Sequence, residues 1–543
     1  MNHLTLISFL LGLCGCDGDA AMAPAPTDAP VDAPIEQPDL PPPQPVMGMT
    51  TEGPISGLRD PATGVAAYKK IPYAAPPIGE LRFSLPQPPA SHVEVLDGTV
   101  FGPACPQEST PLFNSSLGQS EDCLTLNLWA PEQTSSSEPL PVMVWLHGGA
   151  FVVGSSNWYM FEGTSLASRG VVVVTLNYRL GTLGFLAHDA LATGEGEERT
   201  TGNWGLHDQI TALRWVRDNA ASFGGDPNNV TLFGESAGGM SVCALLGSPA
   251  AAGLFHRVIS ESGPCMSSVH MASAEQGAEL AAAMVTRLGC VTAPDVAACL
   301  RALSVEEVMA GQVGTIYAFS PTERPGPVVD GVLLPVTPAQ ALRSGATADI
   351  PMLFGTNRDE GVLFAWGAGI DRPEELDSML MQLVGPRFIG PVRARYAIDR
   401  YGGSAAEAAE AATTEILFLC PARRAARDQA AQGRRSWVYY FTEVGKLLDL
   451  IGLGATHGTE LTFVFGDGMG LSADEARLGD RMKTWWTTFA RTGVPGSVDD
   501  IDWPLYDAST EPYLELNAIT ATQEGWPNAA ACDALETIFA GEL

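Results

Sequence analysis

Val230-Thr231-Leu232-Phe233-Gly234-Glu235-Ser236-Ala237-Gly238-Gly239-Met240 decides the fold of this chain. A β-branched and aromatic run meets Gly-x-Ser-x-Gly and then an Ala- and Leu-rich stretch. That order predicts a strand, a sharp turn and a helix, with the serine at the apex. Glycine at 234 and 238 lets the backbones on either side of the turn approach, where a Cβ would collide. Ser236 then stands exposed at the positive N-terminal end of the helix. In a chain with 58 glycines the pattern also arises by chance. The strand before it and the helix after it favour a nucleophile.

Length alone would allow three or four domains in 543 residues, although α/β enzymes often exceed that prior. A hydrophobic content of 45% and a charged content of 17% describe a globular chain. Sixty-two acidic residues against 30 basic ones give a formal net charge of −32, and lysine occurs only at 69, 70, 446 and 483. Such a chain is repelled by nucleic acid, and no basic patch is present to neutralise phosphates. The acidity reads as solubility and says nothing further about substrate.

Residues 4–13 form an apolar run too short to span a membrane. The run ends in Leu13-Cys14-Gly15-Cys16, which resembles a lipoprotein signal whose lipidated cysteine is Cys16. Residues 1–16 are therefore expected to be a signal peptide and the protein to be exported, as a cell-envelope lipoprotein or a secreted protein. Met1-Asn2-His3 departs from an ordinary signal in carrying no Lys or Arg. Residues 17–46, rich in Pro, Ala and Asp, cannot bury enough apolar surface to order themselves and read as a tether. Residues 47–543 are read as one catalytic domain.

Within that domain, short opening strands are expected at 54–58 and 65–68, and buried ones at 124–129, 141–146 and 171–176. The last two are continuous apolar runs, as in strands covered on both faces. A helix over 209–219 precedes the turn Asp226-Pro227-Asn228-Asn229 and the Ser236 strand. Further helices are expected near 273–288, 303–311, 373–384 and 404–411, as walls of a binding gorge. A late strand at 437–442 and a helix at 482–492 with core Trp485 and Trp486 follow. Strands alternating with helices predict an α/β architecture with a mostly parallel sheet.

A serine hydroxyl needs a positioned base, and that base an orienting acid. In hydrolases with this strand–turn–helix motif the chain order is serine, acid, histidine. Of the eight histidines, His3, His92, His147, His188 and His207 precede Ser236. His256 and His270 follow it too closely for a strand bearing the acid to intervene. His457 remains, in a glycine-flanked loop. For the acid, Pro351-Met352-Leu353-Phe354-Gly355 runs into Thr356-Asn357-Arg358-Asp359-Glu360-Gly361, and spacing leaves Asp359 and Glu360 open. Asp359 has the bland alternative of pairing with Arg358 in solvent. His147-Gly148-Gly149-Ala150-Phe151 follows the strand ending at Leu146, where an oxyanion loop belongs. Backbone N–H groups of Gly148, Gly149 and Ala237 would meet the developing alkoxide.

These pieces resemble the type-B carboxylesterase and cholinesterase family of α/β hydrolases, from about Gly53 to about Cys532. Ser120-Glu121-Asp122-Cys123-Leu124-Thr125-Leu126-Asn127, Asn177-Tyr178-Arg179, Gly202 to Gln209 and Phe223 to Pro227 carry the resemblance as well. It implies an α/β-hydrolase fold and a catalytic Ser236–His457–Glu360 set, choosing Glu360 over Asp359. It also implies that Glu235 shapes the site electrostatics and that Ser262 is a buried serine behind the acid. Arg82 with Glu121 and Arg179 with Asp208 match structural ion pairs. Trp204 either lines the acyl pocket or packs behind the nucleophile helix. The resemblance pairs Cys105 with Cys123, Cys290 with Cys299 and Cys420 with Cys532. Cys243 and Cys265 either pair or remain thiols.

The expected activity is serine carboxylesterase chemistry on a small-molecule ester, through an acyl-enzyme and with no metal or cofactor. No cysteine or histidine cluster has zinc spacing. The expected partners exclude nucleic acid, include a membrane only through the lipid anchor, and leave the oligomeric state open. The Cys105–Cys123 loop lacks the tryptophan with which cholinesterases bind choline, so no cholinesterase is expected, with Phe113 as a partial substitute. The rival readings are a noncatalytic adhesion protein on the same fold and the same chemistry on lipids or carbamates.

Overall fold

Alternate residues of the apolar run 142–146 enter two different cores. Val142, Val144 and Leu146 join one, and Met143 and Trp145 the other, all at 0% exposure. A strand buried on both faces must be apolar throughout, which is why this run does not alternate with polar residues. The computed structural model describes residues 41–109, 117–132, 138–194, 199–267, 270–318, 320, 322–347, 349–445, 452–466 and 471–540. The signal peptide with Cys16, most of the tether and Phe113 lie outside these residues.

The described residues form a sheet of 13 strands. In chain order these are β1 (Gln44–Met49), β2 (Pro54–Arg59), β3 (Val65–Pro72), β4 (Leu96–Asp97), β5 (Thr125–Pro131), β6 (Leu140–Leu146) and β7 (Val172–Leu176). They continue as β8 (Gly225–Glu235), β9 (Arg257–Glu261), β10 (Met352–Asn357), β11 (Ser436–Phe441), β12 (Tyr513–Leu516) and β13 (Ala521–Gln523). Across the sheet the order is β1-β2-β3-β5-β7-β6-β8-β9-β10-β11-β12-β13, with β4 on β2. From β7 to β12 neighbours are parallel, while β1, β2, β3 and β5 pair antiparallel at one margin and β13 at the other. β1 takes in Gln44 to Val46, the last residues of the segment read as tether, by pairing them with Arg59 to Gly57 of β2.

The helices that bear on the site or cover the sheet include α1 (Trp204–Asn219), α2 (Ala237–Leu246), α3 (Glu360–Gly367), α4 (Ala405–Thr413), α5 (Cys420–Ala431) and α6 (Ala473–Thr492). α1 begins at Trp204, a turn earlier than expected. Trp204 is fully buried among Phe83, Leu183, Leu186 and Met284. The expected helix at 273–288 is Ala274–Arg287, started by a capping box between Ser273 and Gln276. Residues 373–395 are helical except at Gly385 (φ 70°, ψ 176°), which ends the first segment where it was expected to end. α6 lays Met482, Trp485, Trp486 and Phe489 on Trp145, Phe233 and Trp437 of the sheet. Truncating one such aromatic costs about 3–5 kcal/mol. On the opposite face Leu206, Ile210 and Leu213 of α1 and Val242 of α2 cover Leu232 and Val258.

α4 and α5 are joined by a π-helical turn, Thr414–Leu419, so that residues 405–431 read as one helix with an internal bulge. All four cysteine pairs are formed: Cys105–Cys123, Cys290–Cys299, Cys420–Cys532 and also Cys243–Cys265, which the sequence left open. Arg82–Glu121 and Arg179–Asp208 are buried ion pairs at 2.6 and 2.7 Å.

Candidate active site

β6, β8, β9 and β10 end side by side, and the residues singled out from the sequence follow their carboxyl ends, where open α/β sheets place ligands. Ser236 sits between β8 and α2 with φ 56° and ψ −123°, a conformation that costs a non-glycine residue on the order of 1–3 kcal/mol. The turn is held by Ser236 N–H donating to Glu261 O at 3.0 Å. Gly238 permits it: a Cβ there would lie 1.9 Å from Leu146 O. Gly148 is also closely packed, since a Cβ on it would lie 2.9 Å from Ser236 Cβ. Among the described residues the N–H groups of Gly148, Gly149 and Ala237 have no acceptor. His147 organises this loop. Its Nδ1 lies 2.8 Å from Gly148 O, and its ring stacks on Tyr178 at 4.4 Å. Burial lowers its pKa to about 4, so it stays neutral.

One residue of helix geometry separates Asp359 from Glu360. Asp359 is the residue just before α3, with no capping hydrogen bond from its side chain, and Glu360 is the helix's first residue. Glu360, wholly buried, turns inward: Oε2 lies 2.5 Å from His457 Nδ1, and Oε1 accepts Ser262 Oγ–H at 2.5 Å and Asn357 N–H at 2.7 Å. Those donors offset the cost of burying it. Asp359 turns the other way. It pairs with Arg358 at 2.8 Å, as the bland reading has it, and its Oδ2 also accepts Ala455 N–H at 2.8 Å. Asp359 N–H donates to Ala455 O at 3.1 Å, and Asn357 Nδ2 to Thr456 O at 2.9 Å. Asp359 thereby braces the loop that carries His457.

With Nδ1 committed to Glu360, the other imidazole edge is the acceptor. His457 Nε2 lies 3.2 Å from Glu235 Oε1. Among the described residues Ser236 Oγ makes no hydrogen bond to it, a looseness common where no substrate tightens the contact. Phe364 of α3 and Phe418 of the π turn flank the imidazole at 5.0 and 4.9 Å between centroids. Burial would lower the His457 pKa, but Glu235 and Glu360 together raise it above the ordinary value. Burial raises Glu235 to about 7, with His457 opposing and Glu360 adding to the rise.

Sequence reasoning missed two carboxyl groups. Glu261 faces Glu235 across the β8–β9 register and accepts Trp486 Nε1–H at 2.9 Å, with burial raising it to about 8. Glu460 is hydrogen-bonded by Asn357 Nδ2, and burial, then Glu235 and Glu360, raise it well above the ordinary carboxyl range. The signal was there for Glu261, a charged residue ending the short β-strand run Val258-Ile259-Ser260. Among the described residues no group of His, Cys, Asp and Glu is placed to hold a metal ion.

The profile of the carboxylesterase family matches residues 44–534. The para-nitrobenzyl esterase of Bacillus subtilis (strain 168) is 39% identical over 492 residues, 86% of this chain and 94% of that protein. The cocaine esterase of Homo sapiens is 35% identical over 489 residues, 84% of each chain. A solved structure of a PNB esterase superposes with a TM-score of 0.78 at 36% identity, covering 90% of this chain and 99% of the other. The matched span takes in every strand of the sheet and every residue gathered around Ser236, and the chain belongs to the type-B carboxylesterase family, as a carboxylic ester hydrolase with the α/β-hydrolase fold.

Proposed function

We propose that Ser236 is the nucleophile, His457 its base and Glu360 the orienting acid. Ser236 Oγ attacks the ester carbonyl while His457 Nε2 takes its proton and passes it to the leaving alkoxide. Glu360 keeps the imidazole in the Nδ1–H tautomer and stabilises the imidazolium. Gly148, Gly149 and Ala237 donate to the oxyanion, each donor contributing about 2.7–4 kcal/mol in such sites. Water then attacks the acyl-enzyme by the reverse proton path. The observation that carries this reading is the 2.5 Å contact between His457 Nδ1 and a buried Glu360 that two further donors fix. A fluorophosphonate ester probes it: a single adduct on Ser236 is expected, and an adduct on any other residue overturns it. Ser236→Ala should remove turnover of 4-nitrophenyl butyrate by about 10⁵-fold or more while leaving the melting curve in place.

The chain is proposed to be exported, with Cys16 as the lipidated residue. Four cysteine pairs support an oxidising compartment. Mass spectrometry of the mature N-terminus tests it, and a mature chain beginning at Met1 rejects it.

A further inference from the structure

Leu146 and Leu176, the last residues of the parallel strands β6 and β7, are partners in register. The chain beyond each strand therefore runs side by side, and His147 meets Tyr178 there. Both are fully buried, and their rings stack at 4.4 Å between centroids, 17° from parallel. Tyr178 Oη–H donates to His147 O at 2.8 Å, and His147 Nδ1 lies 2.8 Å from Gly148 O. A carbonyl has no proton to give, so Nδ1 carries the proton of the neutral ring and donates it. Burial, and then Glu235, push Tyr178 far above the ordinary phenol range, so its hydroxyl keeps its proton as well.

A trans peptide is planar, with its C=O and its N–H pointing in opposite directions. Holding the oxygen therefore aims the N–H at the other end of the same peptide. The His147 carbonyl shares its peptide with Gly148 N–H, and the Gly148 carbonyl shares its own with Gly149 N–H. These are the two loop donors proposed above, and neither has an acceptor among the described residues. The loop needs such bracing. Gly149, Ala150 and Phe151 have φ of 108°, 54° and 64°, three successive residues with left-handed backbone, two of them not glycine. Backbone of that kind persists only where the surroundings over-determine it. Tyr178 is itself fixed from both sides: Tyr73 Oη–H donates to Asn177 O at 2.6 Å, and Arg179 N–H to Asp208 Oδ2 at 3.0 Å.

We propose that Tyr178 and His147 are positioning residues that aim the oxyanion donors, Tyr178 through the His147 carbonyl and His147 through the Gly148 carbonyl. The proposal rests on the nucleophile and oxyanion reading given above. Aim matters most once the carbonyl oxygen carries charge, so losing it costs turnover and leaves substrate binding in place.

Tyr178→Phe removes one hydroxyl and keeps the stacked ring. Acylation and deacylation both pass through an oxyanion, so both should slow alike. On 4-nitrophenyl acetate and on 4-nitrophenyl butyrate kcat should fall about 10–100-fold, by the same factor for each, with KM within about twofold. An aryl trifluoromethyl ketone captures Ser236 Oγ as a hemiketal oxyanion, the serine proton passing to His457, and its inhibition constant should rise by a similar factor. His147→Leu should lose at least as much, while His147→Asn, whose side-chain N–H can reach the Gly148 carbonyl, should keep most of the rate. Unchanged kcat and ketone affinity in Tyr178→Phe overturn the proposal. So does a loss carried by KM, or one that differs between acetate and butyrate, because either marks a pocket wall. His147→Asn no better than His147→Leu overturns the part assigned to His147. A wild-type protein that neither hydrolyses the esters nor binds the ketone overturns the esterase reading, a different failure.

Discussion

Glu235 Oε1 and His457 Nε2 stand 3.2 Å apart, so His457, the proposed base, is flanked by glutamate carboxyl groups on both ring edges. Both raise its pKa against the lowering effect of burial, and a base protonated at higher pH loses activity earlier on acidification. Glu235→Gln removes one of the two. The acid limb of the kcat/KM profile should move to lower pH, and an acid limb that stays in place would show that Glu235 does not act on His457.

Asp359 and Glu360 should separate cleanly in kinetics. Glu360→Gln leaves the geometry but removes the charge opposite Nδ1, and a loss in kcat of about 10⁴ is expected. Asp359→Ala loses one carboxylate bond to Ala455 and loosens the loop, for which about 10-fold is expected. Steady-state kinetics on a neutral ester measures both, and equal losses would reject the assignment.

Stability should fall as pH rises through the range in which Glu261 holds its proton only when folded. Its folded pKa, about 8, lies above the ordinary 4.5, so between those values the folded state binds more protons than the unfolded one. The associated stability is present below pH 4.5 and lost by about pH 8, a change on the order of a few kcal/mol. Glu261→Gln keeps an acceptor for Trp486 and should flatten that slope, as read by urea unfolding at pH 6 and pH 9. A slope as steep as wild type would place the titration elsewhere.

Cys243 lies in α2 and Cys265 after β9, 22 residues apart in sequence. Replacing both by alanine should lower the unfolding free energy by about 3 kcal/mol, as for a loop of that size. Because Cys243 lies two helical turns beyond Ser236, kcat should change little.

The Ser236 turn was legible because its signal is local: β-branched strand, two glycines, helix formers. Elimination pointed to His457, since only a late histidine satisfied the chain order, and its Nδ1 lies against Glu360. Spacing alone left Asp359 and Glu360 open, because they differ only in which way the first turn of α3 aims them; the family resemblance chose Glu360, the one whose carboxylate meets His457. Glu460 comes to the site by packing against Asn357, for which no short-range pattern exists, while Glu261 left a local signal but faces Glu235 only through the register of β8 and β9. The first strand begins at Gln44 because pairing with β2 orders residues whose composition alone reads as tether.

The π turn at Thr414–Leu419 makes this part of the site a matter of counting as well as chemistry. Its bulge carries Phe418 to the imidazole, while Thr414 Oγ1 accepts Gly361 N–H at 2.9 Å, one residue past Glu360. The bulge already takes up one residue more than an α-helical turn, and each further residue turns an α-helix by about 100°, so a single insertion here would rotate α5 by that angle. Cys420, the first residue of α5, is tied to Cys532 and resists the rotation. Substitutions along this helix can be absorbed one at a time, whereas one more inserted residue has nowhere to go.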